Sequence, residues 1–259
     1  MDMQIMVNLI KAYIPRLMKK NTILMVCCIL LGTTISAQFN ERPVLNLQNE
    51  DKHPLNWGYF LGFNQYDFKF EYLEDEGDKT DILVDKSLGF NVGLIGELRI
   101  NNHLDLRFEP GLHYNKRVLG FPNKEKNGLP VFDDEKDALR EVKSTYLHFP
   151  LLLKVSTKRL GNWKPFITGG VSTSLNLSSN EDSQEDNSSN KFRMKKNTYY
   201  YEMGFGIDFY LEYFKFSPSI RGIFAISDEL VRDIDADSPW TGNIDAMKTR
   251  GIFVNFTFE

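Results

Sequence analysis

Between Ser87 and Tyr114 the chain reads SLGFNVGLIGELRI, then Asn101-Asn102, then HLDLRFEPGLHY, and this stretch constrains the fold more than any other. On its first arm Leu88, Phe90, Val92, Leu94, Leu98 and Ile100 lie two apart, with Gly89, Asn91, Gly93, Glu97 and Arg99 between them. On its second arm Leu104, Leu106, Phe108, Leu112 and Tyr114 alternate with Asp105, Arg107, Glu109, His113 and Asn115. A period of two over that length predicts strands with one apolar and one polar face. Asparagine tolerates the positive φ of tight turns, so the Asn-Asn link predicts a hairpin.

Six more segments carry the same period: Trp57–Tyr72, Lys143–Ser156, Trp163–Leu177, Asn197–Leu211, Phe214–Ile226 and Met247–Glu259. In the first of them the apolar phase runs through Trp57, Tyr59, Leu61 and Phe63, then switches to Tyr66, Phe68, Phe70 and Tyr72. A phase change inside one strand predicts an extra residue, a β-bulge at Asn64-Gln65. Long polar links follow strands one, three, five and seven; short links follow two, four and six. The link Lys116–Val142 suggests a single helical turn over Asp134–Glu141, and the polar, low-complexity Ser178–Lys196 is expected to be mobile.

Eight strands with alternating short and long links predict an all-β, eight-stranded antiparallel up-and-down transmembrane β-barrel, with both termini and the short turns periplasmic and the long loops extracellular. A soluble barrel of lipocalin type has the same period and the opposite sidedness. Crowding separates the two. An eight-stranded interior is only wide enough to be filled by side chains, and here the polar set contains the glycines while the apolar set is uniformly bulky. The smaller, polar set belongs inside. Pro110, Pro150, Pro165 and Pro218 run against this reading, because proline removes a ladder donor and favours edges or bulges.

The inward set then contains Glu97, Arg99, Asp105, Arg107, Glu109, His148, Lys154, Glu202, Asp208, Lys215 and Arg221. Its mixed signs predict a paired structural network filling the lumen, since unpaired charges there would be costly. Catalytic, cofactor and metal sites are not expected. Ser144 and His148 share a strand face but stand ~13 Å apart along it, too far for a nucleophile and its base. His53 and His103 have no partner in the sequence, and His113 reads as a buried hydrogen-bonding residue. Asp233, Asp235 and Asp237 imitate the start of a calcium loop, but Ser238 and Ile244 stand where its glycine and final acid belong. A formal net charge of -4 gives no basic domain for nucleic acid.

Met18-Lys19-Lys20-Asn21, the apolar Ile23–Leu31 and Ile35-Ser36-Ala37 form a secretory signal, with cleavage expected after Ala37. Met1–Leu17 reads as an over-extended start, and 38–56 as a polar periplasmic leader before a barrel over 57–259. Both cysteines, Cys27 and Cys28, fall within the signal, and Val26 makes a poor lipoprotein site. The mature chain therefore has no thiol chemistry.

GFNVGLIGELRI with LDLRFEPGLHY, YLHFPLLLKV (Tyr146–Val155), FITGGVS (Phe166–Ser172) and GFGIDFYLEYFKFSPSIRG (Gly204–Gly222) resemble the PorT (SprT) family of Bacteroidetes outer-membrane barrels. The NWGYFLGFNQYDFKFEY opening is similar to that family too. The resemblance implies an outer-membrane barrel of the size of the small OmpX and OmpA barrels. It also implies a part in type IX secretion, which exports proteases, adhesins and gliding proteins. Penultimate Phe258 resembles the C-terminal signal of such barrels, although Glu259 stands where the aromatic usually does. The expected partners are outer-membrane lipid and lipopolysaccharide, other secretion components, and the barrel-assembly machinery during insertion. The alternative is a surface barrel that binds ligands through its long loops.

Overall fold

A computed structural model describes residues 44–74, 81–123, 125–126, 129–130, 132 and 136–259, with backbone only at 125–126 and 129–130. The expected signal and its Ala37 cleavage site lie outside these residues. The strands are β1 (Leu55–Tyr72), β2 (Leu83–Lys86), β3 (Leu88–Arg99), β4 (Leu104–Phe108), β5 (Gly111–Gly120), the two-residue β6 (Glu125–Lys126) and β7 (Leu129–Pro130), β8 (Leu139–Ser156), β9 (Trp163–Asn176), β10 (Asn197–Tyr210), β11 (Lys215–Ala225) and β12 (Ile244–Phe258). Antiparallel pairing runs β1-β12-β11-β10-β9-β8, then through β4 and β5 to β3, which pairs with β1 and closes the ring. With β4 and β5 forming one stave, the ring has eight staves. Among the described staves closure pairs both sides of each, except at β2, which pairs with β5 alone.

The register fixes the ring's dimensions. Starting at Leu55, paired residues lead through Leu98, Leu106, Leu153, Gly169, Met203, Gly222 and Ile252 back to β1 at Gln65, ten residues further along. For eight strands ~4.8 Å apart rising ~3.3 Å per residue, that stagger tilts the strands by ~41° and sets a Cα radius of ~8 Å. Arginine and lysine side chains reach the axis from such a wall. Inward glycines admit the largest rings. A Cβ on Gly93 or Gly111 would lie 2.6 or 2.7 Å from Phe60, and one on Gly206 would lie 2.4 Å from Phe166.

The prolines are accommodated without any register shift. Between β4 and β5 the ladder skips Glu109-Pro110, yet Gly96 opposite Phe108 and Gly93 opposite Gly111 keep one register. The expected bulge at Asn64-Gln65 is absent too. Pairing of β1 with both neighbours runs unbroken through these residues, and the shift on β1 falls at Glu71/Tyr72. The phase change has another cause. Trp57, Tyr59, Leu61 and Phe63 are exposed on the outer face, and that same face continues as Gln65, Asp67 and Lys69, while Tyr66 and Phe68 are buried inside. The strand leaves one solvent for another without changing its geometry.

Other staves change at the same height. On β8 the outward residues run Val155, Leu153, Leu151, Phe149 and Leu147, then Thr145, Lys143 and Glu141, while the inward residues pass from Lys154 and His148 to Tyr146 and Val142. On β12, Phe258, Phe256, Val254 and Ile252 give way to Arg250 and Lys248. The outward apolar run on β10, Phe209 to Tyr199, rises ~25 Å at the ring's tilt, which matches the apolar band of a membrane barrel.

Above the band the interior becomes an ordinary apolar core. Phe68, Leu119, Val142 and Met247 from the staves pack with Phe121, Phe132, Phe192, Met194 and Leu230 from the long loops. Ser178–Lys196, expected to be mobile, is folded into this cap. Phe192 and Met194 are buried, and Asn187 accepts from Arg140 and donates to Asp233. Of the expected helical turn over Asp134–Glu141, Asp134 and Glu135 lie outside the described residues, Lys136–Ala138 form a turn closed by the Leu139 amide donating to the Lys136 carbonyl (3.2 Å), and Leu139–Glu141 already belong to β8.

Candidate functional site

Ten of the eleven sequence-predicted lumen residues are buried inside the ring, and the eleventh, Arg99, lies at its short-turn mouth. The network is a continuous relay of ion pairs. Asp208 meets Lys154 (2.7 Å), and Lys154 meets Glu97 (3.1 Å). Glu97 takes Arg107 (2.5 Å), and Arg107 reaches Glu109 (3.3 Å). Arg221 joins Glu109 (2.8 Å) to Glu202 (3.2 Å), and Glu202 lies 2.6 Å from His148 Nε2. Glu97 also takes Lys215 (3.3 Å), so one carboxylate holds three cations. Asp105 stands slightly apart, with Arg99 Nε 3.6 Å away. The pairs sit at the depth of the outer apolar band. Phe166 lies flat against them, with Lys154 4.6 Å and Arg107 5.5 Å from its centroid.

Groups outside the predicted set complete the arrangement. The side chain of Glu259, the last residue, turns into the lumen and pairs with Lys215 and with Arg107 (3.1 Å). Sequence alternation carries the signal for this, since Phe258 faces outward and its neighbour must face inward. Lys164, also inward on β9, lies 3.9 Å from Asp51. No sequence period reports Asp51 itself. It sits on a 3-10 turn, Glu50–Lys52, in the leader that crosses the mouth. There it binds Arg99 (3.0 Å) and accepts from the Tyr210 hydroxyl (2.9 Å). Burial pushes its carboxyl up, but the hydrogen bonds from Tyr210 and Arg99 outweigh burial and hold it below the usual carboxylate range. Arg159 stacks 3.7 Å over Tyr210 and donates to the carbonyls of Asn46 and Leu47, which fastens the leader.

A tyrosine and histidine layer separates this network from the apolar cap. Tyr66, Tyr146, Tyr200, Ile223 and Phe253 pack together, and the rings of His113 and His148 lie 4.8 Å apart. Arg117 closes the layer. Its guanidinium lies 3.9 Å over Phe68 and donates to Ser144 and Tyr146. Above it, Glu229 from the last long loop accepts from the Thr249 amide (3.0 Å) and hydroxyl (2.9 Å). Burial raises the Glu229 carboxyl to about 7.

Ser144 thus serves Arg117, and His148 serves Glu202. His148 Nδ1 also lies 3.4 Å from Ser174, giving a serine, histidine and carboxylate in line. All three are at most 3% exposed in a filled interior, so the arrangement offers no seat for a substrate. Among the described residues no three His, Cys, Asp or Glu side chains gather to hold a metal. Asp233 binds Asn187 and Ser238, while Asp235 caps the Asp237 amide.

A closed eight-stave ring, apolar outside and ion-paired within, defines a small outer-membrane-type barrel with a filled lumen. The chain belongs to the outer membrane protein beta-barrel domain family, which matches residues 36–231. That family places it in the outer membrane. Among solved structures it is similar to OprG from Pseudomonas aeruginosa, at 12% identity over 78% of this chain and 94% of that one, TM-score 0.42. It is also similar to Neisserial surface protein A, at 8% identity over 79% and 98%, TM-score 0.40. A third is Ail, the attachment invasion locus protein of Yersinia pestis, solved with the heparin analogue sucrose octasulfate, at 12% identity over 78% and 96%, TM-score 0.36. Comparison with curated proteins gives no match.

Proposed function

We propose that this barrel is a non-enzymatic accessory component of the type IX secretion apparatus, needed for its assembly or operation, and not the conduit. The observation that carries the second half is the lumen. The relay from Asp208 to His148 fills the bore at membrane depth, the leader crosses one mouth, and the apolar cap covers the other. A wall of ~8 Å Cα radius packed with buried charge cannot pass a folded protein. The first half rests on the PorT-like motifs, which lie on the staves themselves. In this reading the termini, short turns and leader face the periplasm, and the cap faces the medium. The partners are then other secretion components and, during insertion, the barrel-assembly machinery. Deleting the gene should abolish export of type IX substrates while the envelope still excludes detergents. Normal export in the deletion strain would remove the proposal.

The folded cap favours one second reading, a surface barrel that binds a ligand through its loops. Asp186, Asp233, Ile234 and Trp240 line a cleft there, and Ile234 is 76% exposed. Ile234→Asp with Trp240→Ala should abolish adhesion and spare export in that case; the secretion reading expects adhesion unchanged.

A further inference from the structure

Just above the apolar band the outer wall carries a repeated device. Asp67 is held between Lys86 (2.9 Å) and Arg250 (3.0 Å), and Glu71 between Lys69 (3.1 Å) and Lys248 (3.3 Å). Glu141 is held between Lys116 (2.9 Å) and Lys143 (2.7 Å). Each carboxylate bridges two cations, so three groups leave a surplus of three positive charges, which the exposed Asp85 on β2 reduces to two. The groups occupy β12, β1, β2, β5 and β8, which is one side of the ring. On β9, β10 and β11 the outward positions at this height are Leu175, Asn197, Tyr199 and Phe224.

Stability does not account for this pattern. Exposed ion pairs contribute little each, and a stability device would balance its charges. Depth offers the account. Lys143 and Lys248 stand four residues beyond the apolar Leu147 and Ile252, ~10 Å higher at the ring's tilt, and Lys116 and Arg250 stand two beyond Tyr114 and Ile252, ~5 Å higher. The latter height is the depth of lipid headgroups, which extend ~5–7 Å beyond the hydrocarbon on each side. Each bridging carboxylate holds its two cations apart and orients them, while the surplus charge remains for an anion at the same level.

We propose that this half-belt is a binding surface for the phosphates of an outer-leaflet glycolipid carrying more than one phosphate per headgroup. Multiple phosphates fit because the Asp67 and Glu141 groups stand on separate staves of the same side of the ring. The surface binds such a lipid directly, so it needs no divalent cation to bridge two anions. The proposal rests on the outer-membrane placement and on the cap facing the medium, and is independent of the secretion role.

The test uses the full chain in phosphatidylcholine nanodiscs doped with bis-phosphorylated lipid A or with dephosphorylated lipid A, with chelator present. Native mass spectrometry reads the lipid retained on the barrel. Phosphorylated lipid A should be enriched and the dephosphorylated form should not. Each lysine removed from the set Lys86→Gln, Lys116→Gln, Lys143→Gln and Lys248→Gln should lower the enrichment about five-fold. Equal retention of the two lipids, or enrichment that survives the quadruple variant, would overturn the proposal. Heat-modifiable gel mobility reports insertion of each variant. Should the quadruple variant fail to insert, K116Q/K143Q, which strips the Glu141 group alone, is read in the same way. Purified protein binds lipid whichever way it faces in the cell, so a wrong orientation shows separately, as failure of external protease to cut the cap in intact cells.

Discussion

The staves below Gln65 and the same staves above it differ in almost everything except backbone. Below, Trp57 to Phe63 face outward into an apolar band and Glu97, Arg107 and Lys154 face a charged lumen. Above, Asp67 and Lys69 face out and Phe68, Leu119 and Met247 form a dry core. On β1 the register against β12 passes from one region to the other without a break, while the stave of β3 and β2 shifts by one residue against β5 at Ser87. One ladder of hydrogen bonds therefore supports both sidednesses, and the solvent at each height decides which face is apolar. The lower region places its polarity where lipid is not. The upper region is a water-soluble barrel standing on a membrane barrel.

The two regions should fail differently. Glu97→Ala takes the shared carboxylate from Arg107, Lys154 and Lys215 and leaves them to Glu109, Asp208 and Glu259, and loss of one partner from a buried ionic cluster costs ~3–5 kcal/mol. Urea unfolding of the refolded protein in micelles should show the whole barrel weakened. Met247→Ala leaves a void in the cap, at ~2–5 kcal/mol. Hydrogen exchange should then rise in 178–196 and 226–243 while the amides of β9 and β10 stay protected. A cap that loosens together with the staves would show that the two regions are one cooperative unit.

Glu229 ties the cap to pH. Its carboxyl is raised to about 7 by burial, against an ordinary 4.5, so the folded cap binds the proton more tightly than the unfolded chain. The stabilisation is fully present below about pH 4.5 and is lost as pH rises through about 7, a difference of roughly 3 kcal/mol. Exchange of the loop amides near Glu229 should therefore accelerate as pH rises from about 4.5 to about 7 and level off above that. Glu229→Gln, which keeps an acceptor for Thr249, should remove the acceleration beyond the intrinsic chemistry. The smallest effect belongs to the outer belt. Glu141→Gln should leave the unfolding midpoint indistinguishable from the parent's, because both of its partners are exposed.

The staves and their inward charges were legible because a period of two is a local property. Alternation assigns Glu97, Arg107, Lys154 and Arg221 to one face with no knowledge of the partner strand. The phase switch near Gln65 was legible as a switch but not as to its cause. An inserted residue and a change of solvent leave the same mark on a sequence, and unbroken pairing with β3 and β12 distinguishes them. Ser178–Lys196 shows the opposite limit. Its composition is that of a solvated tail, yet Phe192 and Met194 suffice to anchor it once Leu230 and Ile244 supply the other side, while most of Asn180–Lys191 stays exposed. Asp51 lies in a segment with no period at all, and its place under Arg99 is a contact between residues 48 apart.

The sequence by itself determined that this chain makes eight amphipathic staves with alternating short and long links, and which residues share a face. It did so because strand geometry turns neighbouring residues to opposite sides. Only the tertiary structure decided where the apolar face changes sides, that Glu259 completes the lumen network, and that the long loops fold into a cap. Those outcomes depend on ring closure with a stagger of ten, which brings residues far apart in the chain to one height and exposes each height to a different solvent.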